Sequence, residues 1–291
     1  MSNPSLFSLT PLSPTLGARI SGLDLAQSLS AETIADIRQA LLKHEVLFFE
    51  DQDLTPHQQR DFAARFGELH LHPIRPSVPG TPEVLVLDNQ PASDTDIGTW
   101  RADVTFIETP PMGSMLYARH VPPEGGDTLW SSMRAAHAAL SPSLRAFLQP
   151  LDAEHDFTRS FPPNHMASLN VGIERYAWAR REYPPVAHPL VRTHPETGHD
   201  ALFVNSGFTT RILGLTRTES AKVLELLAEH IQRPEFVIRW RWRPGTLAFW
   251  DNRLTQHYTV DDYQPNRRVM HRVTILGDKP FNRARVRFAA E

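Results

Sequence analysis

A mainly β domain with flanking helices, built on a jelly-roll core, is the fold this sequence predicts. Short apolar, strand-like stretches recur along the chain, separated by polar or Pro/Gly-rich connections. Capped helical segments flank them. There is no Gly-rich strand-to-helix phosphate loop, and Gly125-Gly126 is no dinucleotide fingerprint, which sets a nucleotide-binding sheet aside.

The elements follow in order. Ser30 reads as an N-cap, with Glu32 in the first turn and Ile34, Ile37, Leu41 and Leu42 on one face of a helix. Val46 to Phe49 is a buried strand. Thr55-Pro56 starts a second helix with Pro at its first position, Phe62 and Phe66 one turn apart and Gly67 able to end it. Val84 to Leu87, Val104 to Phe106 and Met115 to Tyr117 are short strands. Residues 131 to 149 have helical spacing. Phe161 to Ala187 is Pro-rich, aromatic and weakly periodic, a long loop or insertion of the kind that serves as a lid. His188 to Asn205 reads as a hairpin around Pro195 to Gly198, and Thr216-x-x-Glu219 is a capping box opening a helix with Val223, Leu224, Leu227 and Ile231. Phe236, Ile238, Trp240 and Trp242 alternate with Arg239, Arg241 and Arg243, the period of a half-buried strand. Leu247 to Trp250 and Arg268 to Leu276 complete the strands. No repeat or linker divides the chain, so residues 1–291 are expected to form a single domain, with a lid or insertion at 161–187.

Composition narrows the function. With 41% hydrophobic and 22% charged residues the chain can bury a sizeable core. It has no cysteine, which excludes disulfides, thiolate nucleophiles and Cys-ligated metals, so any metal must sit on His, Asp or Glu. A net charge of −3 gives no global attraction to nucleic acid or anionic membranes. No apolar run approaches a membrane span and Met1 to Pro14 lacks a signal-peptide pattern, so a cytoplasmic location and a small-molecule anionic partner are expected. A homo-oligomer remains open. Only Lys43, Lys222 and Lys279 are lysines, and arginine is the side chain suited to forked carboxylate or sulfonate binding.

Two segments gather candidate ligands, Trp100 to Phe106 and Trp250 to Tyr258. Arg268 and Arg272 follow four residues apart, an even spacing that puts both side chains on one strand face. With Phe66 to Pro73, Asp103 to Pro111, Gly125 to Trp130, His188 to Thr193, Trp240-Arg241-Trp242 and Met270 to Asp278, these blocks resemble, in order and over nearly the whole length, the taurine dioxygenase family of Fe(II)- and 2-oxoglutarate-dependent oxygenases. The resemblance implies a double-stranded β-helix (jelly-roll, cupin-like) core, with Fe(II), 2-oxoglutarate as co-substrate and O2. It implies that Asp103 and His257 are metal ligands, and that Arg268 and Thr128 hold the far carboxylate of 2-oxoglutarate. Arg272 and His72 would hold a sulfonate, with Val104, Phe161 and Phe208 lining the apolar part of the pocket. The implied reaction hydroxylates the carbon next to sulfur, giving an aldehyde, sulfite, succinate and CO2.

One position departs from the pattern. The family has His-x-Asp, and this sequence has Arg101-Ala102-Asp103. A guanidinium stays protonated and offers no lone pair, so Arg101 cannot replace an imidazole on iron; an ion pair with Asp103 and a weakened metal site are expected. Three explanations stand open: a substitution on a competent scaffold, completion of the triad by His70 or His72, or a non-catalytic 2-oxoglutarate- or anion-binding protein. Arg75 and Ile97 replace the Tyr and Asn that face the substrate amine in taurine-using members, and an arginine there repels an ammonium. Other sulfonates, alkyl sulfate esters and aryloxy acids are the alternatives to taurine. Taken singly, a buried Asp or His is usually structural, Thr128 is an ordinary strand residue, and His70, His188, His194 and His271 have no assigned catalysis. Trp240 and Trp242 read as core, and Arg239, Arg241 and Arg243 as a solvated or partner-facing surface.

Overall fold

Alternation along Val46–Phe49 places two cores on opposite sides of one strand. Val46 and Phe48 join one apolar cluster, Leu47 and Phe49 another, and all four are buried. In the computed structural model, which describes residues 7–72, 75–89, 98–163 and 172–288, this strand lies within an eight-stranded sheet. The order is Ser8–Pro11, Ala18–Ser21, Val46–Phe49, Leu247–Asp251, Gly113–His120, Arg268–Ile275, Thr81–Asn89, Ser77–Val78. Among the described residues of this sheet, only the pairing of Ala18–Ser21 with Val46–Phe49 is parallel.

One face of the sheet packs on helices Ala31–His44 and Pro56–Ala64 through Ile37, Leu41, Phe62, Phe249 and Val273. The other meets a three-stranded sheet in which Thr128–Ser132 lies between Val237–Trp240 and Thr255–Thr259. Phe48, Trp130, Trp240, Trp250 and Met270 fill the space between them, with Phe48 stacked on Trp240 at 3.9 Å and 12°. Burying each of these large side chains stabilises the fold by about 1.5–3 kcal/mol. The two layers form the jelly-roll core that the sequence predicts. Asp152–His155 pairs with Thr209–Ile212 and Val186–Pro189 in a further sheet, and Val191–Thr193 and Asp200–Leu202 make the expected hairpin.

The helix starts agree with their sequence signals. Ser30 accepts from the Thr33 N–H, and Thr55/Gln58 and Thr216/Glu219 form reciprocal capping boxes. Among the described residues, no helix is long and apolar enough to cross a membrane.

Four expectations need correction. Val104 to Phe106 forms a turn, not a strand. Val104 adopts φ 50°, a left-handed conformation that is uncommon for a β-branched residue and incompatible with a ladder. Residues 161–187 are not one long loop, because Ile173–Glu182 is helical; only Ala179 of that helix is buried, so no apolar stripe marks it in sequence. Residues 164–171 and Ile97 lie outside the described residues. The helix before Gly67 already ends at Ala64, and of the strand expected from Phe236 through Arg243 only Val237–Trp240 is extended, Phe236 closing the short 3-10 helix Pro234–Phe236. There Arg239 donates to Asp127 and Arg241 to the Pro123 carbonyl.

Glu45 closes the first helix in a left-handed C-cap and is fully buried, 2.7 Å from Arg134. Burial outweighs the Arg134 charge and pushes the Glu45 carboxyl up to about 7. The folded state therefore holds a proton that the unfolded state releases above its ordinary value of about 4.3, and stability falls as pH rises from there through 7. Glu45→Gln is expected to raise the melting temperature at pH 8 and to make little difference at pH 5. Equal shifts at the two pH values would contradict this.

Candidate active site

Asp103 has no strand ladder to place it, and its backbone is held by a side chain instead. The Asp103 N–H donates to Asn252 Oδ1 at 2.7 Å, and Asn252 Nδ2 donates to the Asp103 carbonyl at 3.0 Å. Asn252 is itself buried in the turn between Leu247–Asp251 and Thr255–Thr259. His188 Nε2 faces the carbonyls of Thr105 and Ile107 at 2.9 and 3.0 Å, and Asn205 Nδ2 donates to the Thr105 hydroxyl at 3.0 Å. Buried polar groups from distant segments thus satisfy a turn that local sequence would leave open.

The turn directs the Asp103 carboxylate toward His257, with Oδ1 3.5 Å from His257 Nε2. Asp103 Oδ2 accepts from the Ser114 hydroxyl at 2.8 Å and is in contact with Arg272 Nη2. Burial pushes the Asp103 carboxyl up, but Arg272, Ser114 and Arg101 outweigh it and hold it below its ordinary range. His257 goes down to about 3 because burial, Arg101 and Arg272 together overcome the attraction of Asp103. Near neutral pH the pair is therefore a carboxylate beside a neutral imidazole that retains a lone pair.

Arg101 is tied to His257 through the backbone. The Arg101 N–H donates to the His257 carbonyl at 3.0 Å, and the His257 N–H to the Arg101 carbonyl at 2.8 Å. The expected ion pair with Asp103 is a correction: the guanidinium paired with Asp103 is that of Arg272, and Arg101 acts as a weaker, longer-range charge. The Arg101 Cβ instead packs on the turn at Gly207, where a Cβ would lie 3.1 Å away.

Arg268 and Arg272 come from the same face of Arg268–Ile275. Arg268 is buried, donates from Nε to the Gly126 carbonyl at 3.2 Å, and has Nη2 3.5 Å from the Thr128 hydroxyl. Gly126 combines φ +69° with a position where a Cβ would sit 3.1 Å from Arg268 Cδ, so only glycine leaves the arginine its place. Thr128 also accepts from Trp242 Nε1 at 2.9 Å.

Val104, Phe161 and Phe208 share one apolar cluster with Phe106 and Phe157. His72 meets this wall with its ring 6.4 Å from Phe161, and the Arg75 guanidinium lies 6.0 Å from the same ring. The Arg75 N–H donates to His72 Nδ1 at 3.2 Å, which leaves the hydrogen of the neutral ring on Nε2. Burial and the neighbouring cations Arg75 and Arg272 keep His72 neutral. The structure places the residues expected from the sequence in three groups: Asp103, His257 and Arg272; Arg268 and Thr128; and Val104, Phe161 and Phe208 with His72. Asn252 and Ser114 were missed, since their roles depend on pairings far along the chain; only the presence of Asn252 in the Trp250 to Tyr258 block could have drawn attention to it.

A family model described as taurine catabolism dioxygenase TauD, TfdA family matches residues 8–274. The chain belongs to this family. The alpha-ketoglutarate-dependent sulfate ester dioxygenase of Pseudomonas putida is 38% identical over 275 residues, covering 93% of this chain and 89% of that protein. The alkylsulfatase of Acinetobacter baylyi is 35% identical over 273 residues, covering 93% and 85%. A taurine dioxygenase structure from Burkholderia xenovorans superimposes with a TM-score of 0.82 at 38% identity, covering 97% of this chain and 94% of that one.

Among the described residues, no three His, Asp or Glu side chains converge to hold a metal ion, so neither His70 nor His72 completes a triad. Asp103 and His257 remain a converging carboxylate and imidazole, a donor pair suited to a divalent first-row metal. These residues of the TauD, TfdA family member fit a divalent ion held through two protein donors rather than three.

Proposed function

We propose that the chain binds 2-oxoglutarate and an organic sulfonate or sulfate ester as a family oxygenase whose turnover is limited by its two-donor metal site, Asp103 and His257. The observation that carries this reading is the placement of Arg268 and Arg272 on one strand face, with Arg272 against Asp103. Arg268, with Thr128, takes the far carboxylate of 2-oxoglutarate; its forked donors and dry surroundings suit a carboxylate. Arg272 and the Nε2 hydrogen of His72 take the sulfur-bearing anion. Val104, Phe161 and Phe208 hold the adjacent chain and exclude water. When bound, Fe(II) supplies the oxygen chemistry by which 2-oxoglutarate, O2 and R–CH2–SO3⁻ become succinate, CO2, an aldehyde and sulfite. An alkyl sulfate ester in the same place yields the aldehyde and sulfate.

Arg75 beside the Phe161 wall favours tails without an ammonium group. Succinate formation under air with Fe(II) and 2-oxoglutarate is to be compared across hexyl sulfate, 1-hexanesulfonate, phenoxyacetate and taurine, on this chain and on Arg101→His. The hexyl anions are expected to exceed taurine by about tenfold, equivalent to about 1.4 kcal/mol. Taurine as the best substrate would reject the reading of the tail pocket. Arg268→Ala is expected to weaken 2-oxoglutarate binding, measured by calorimetry, by at least about tenfold; unchanged binding would remove Arg268 from its assigned place.

A further inference from the structure

We infer that the substrate anion and the divalent cation bind this chain cooperatively, because the guanidinium that receives the anion is paired with the carboxylate that receives the cation. The inference rests on the roles proposed for Arg272 and Asp103.

Arg272 Nη2 contacts Asp103 Oδ2, and the Asp103 side chain is only 2% exposed. Arg272 Nε is buried with no hydrogen-bond acceptor, so the guanidinium has an unused donor where an anion would gain a bond. The carboxylate, by contrast, has a second partner ready. Ser114 donates to Oδ2 at 2.8 Å and lies 3.2 Å from the Thr274 hydroxyl, while Oδ1 faces His257 at 3.5 Å. When Arg272 turns to an anion, Asp103 keeps its hydrogen bond and loses only its counter-charge.

The sign follows from electrostatics. In this pair Arg272 neutralises Asp103, and a divalent cation entering beside His257 meets a positive neighbour. An anion on Arg272 cancels that charge and leaves the Asp103 charge for the cation, and in a buried site such interactions are weakly screened. Linkage requires the reverse effect to be equal: the cation must tighten the anion by the same factor.

The test titrates Mn(II) into this chain and into Arg101→His, following loss of the free Mn(II) EPR signal with and without saturating 1-hexanesulfonate. 2-Oxoglutarate is omitted so that the metal reports only on protein donors. The sulfonate is expected to tighten Mn(II) about tenfold, and Mn(II) to tighten the sulfonate equally by calorimetry. Arg272→Gln is expected to bind Mn(II) more tightly than its parent without sulfonate, and to show no response to it. Equal Mn(II) affinities in a chain that binds the sulfonate, or weaker Mn(II) binding by Arg272→Gln, overturn the coupling alone. Failure of Mn(II) or the sulfonate to bind either chain overturns the proposed function and this inference with it.

Discussion

Replacing Arg101 with histidine is expected to raise Fe(II)-dependent succinate formation and to tighten Mn(II) binding by roughly a hundredfold, equivalent to about 2.7 kcal/mol. Two effects act in the same direction. The substitution adds a neutral nitrogen donor to a site that has two protein donors, and it removes a fixed positive charge whose influence reaches both Asp103 and His257. The backbone needs no change, because position 101 is already locked to His257 by hydrogen bonds of 2.8 and 3.0 Å. Arg101→Gln separates the two effects: it removes the charge without restoring an imidazole, and should recover only part of the gain. Turnover by the unaltered chain equal to that of Arg101→His would mean that the third donor comes from elsewhere.

Asp251→Asn is expected to destabilise the fold by about 3–5 kcal/mol, the range for breaking a buried pair from one side. Arg253 donates to Asp251 from Nε at 2.9 Å and from Nη2 at 2.7 Å, and His194 Nε2 lies 3.0 Å away. All three side chains are buried, and Arg253 would be left to Glu196 at 3.0 Å. For a chain of this size the loss corresponds to a melting temperature lower by on the order of 10 °C. Burial pushes the Asp251 carboxyl up, but Arg253 and His194 overcome it and hold it far below its ordinary range. Its contribution is therefore complete above the unfolded value of about 3.9 and is lost as pH falls toward the folded one. Urea unfolding should show a large gap between parent and variant at pH 7 and a smaller one below pH 4. A gap under about 1 kcal/mol at pH 7 would show that the network contributes little. Asp251 also precedes Asn252, so loosening this turn should reach the clamp on Asp103.

What could be read in the sequence was set by local physics. The alternation of Ile238 and Trp240 with Arg239, and the caps at Ser30, Thr55 and Thr216, depend on residues a few positions apart. Val104 to Phe106 has the apolar run of a strand, yet Asn252 and His188 satisfy the turn from far along the chain. Proximity in sequence likewise suggested Arg101 as the partner of Asp103, whereas strand pairing delivers Arg272. The positions of the site residues were legible because they resemble a family pattern. The clamp and the ion pair appear only when the chain is folded.

The strand Arg268–Ile275 is hydrogen-bonded along both edges, to Thr81–Asn89 and Gly113–His120. Its two anchoring arginines are four residues apart, about 13 Å along the backbone. In the proposed reading that stretch is a ruler fixed by the sheet: it sets how far apart the co-substrate and substrate anions sit, and inserting one residue would turn one guanidinium out of the cleft. The tail has no such gauge, because Arg75, Val104, Phe161 and Phe208 all lie outside regular strands. New substrates can therefore be accommodated by exchanging side chains at those positions while the spacing of the anchors stays unchanged.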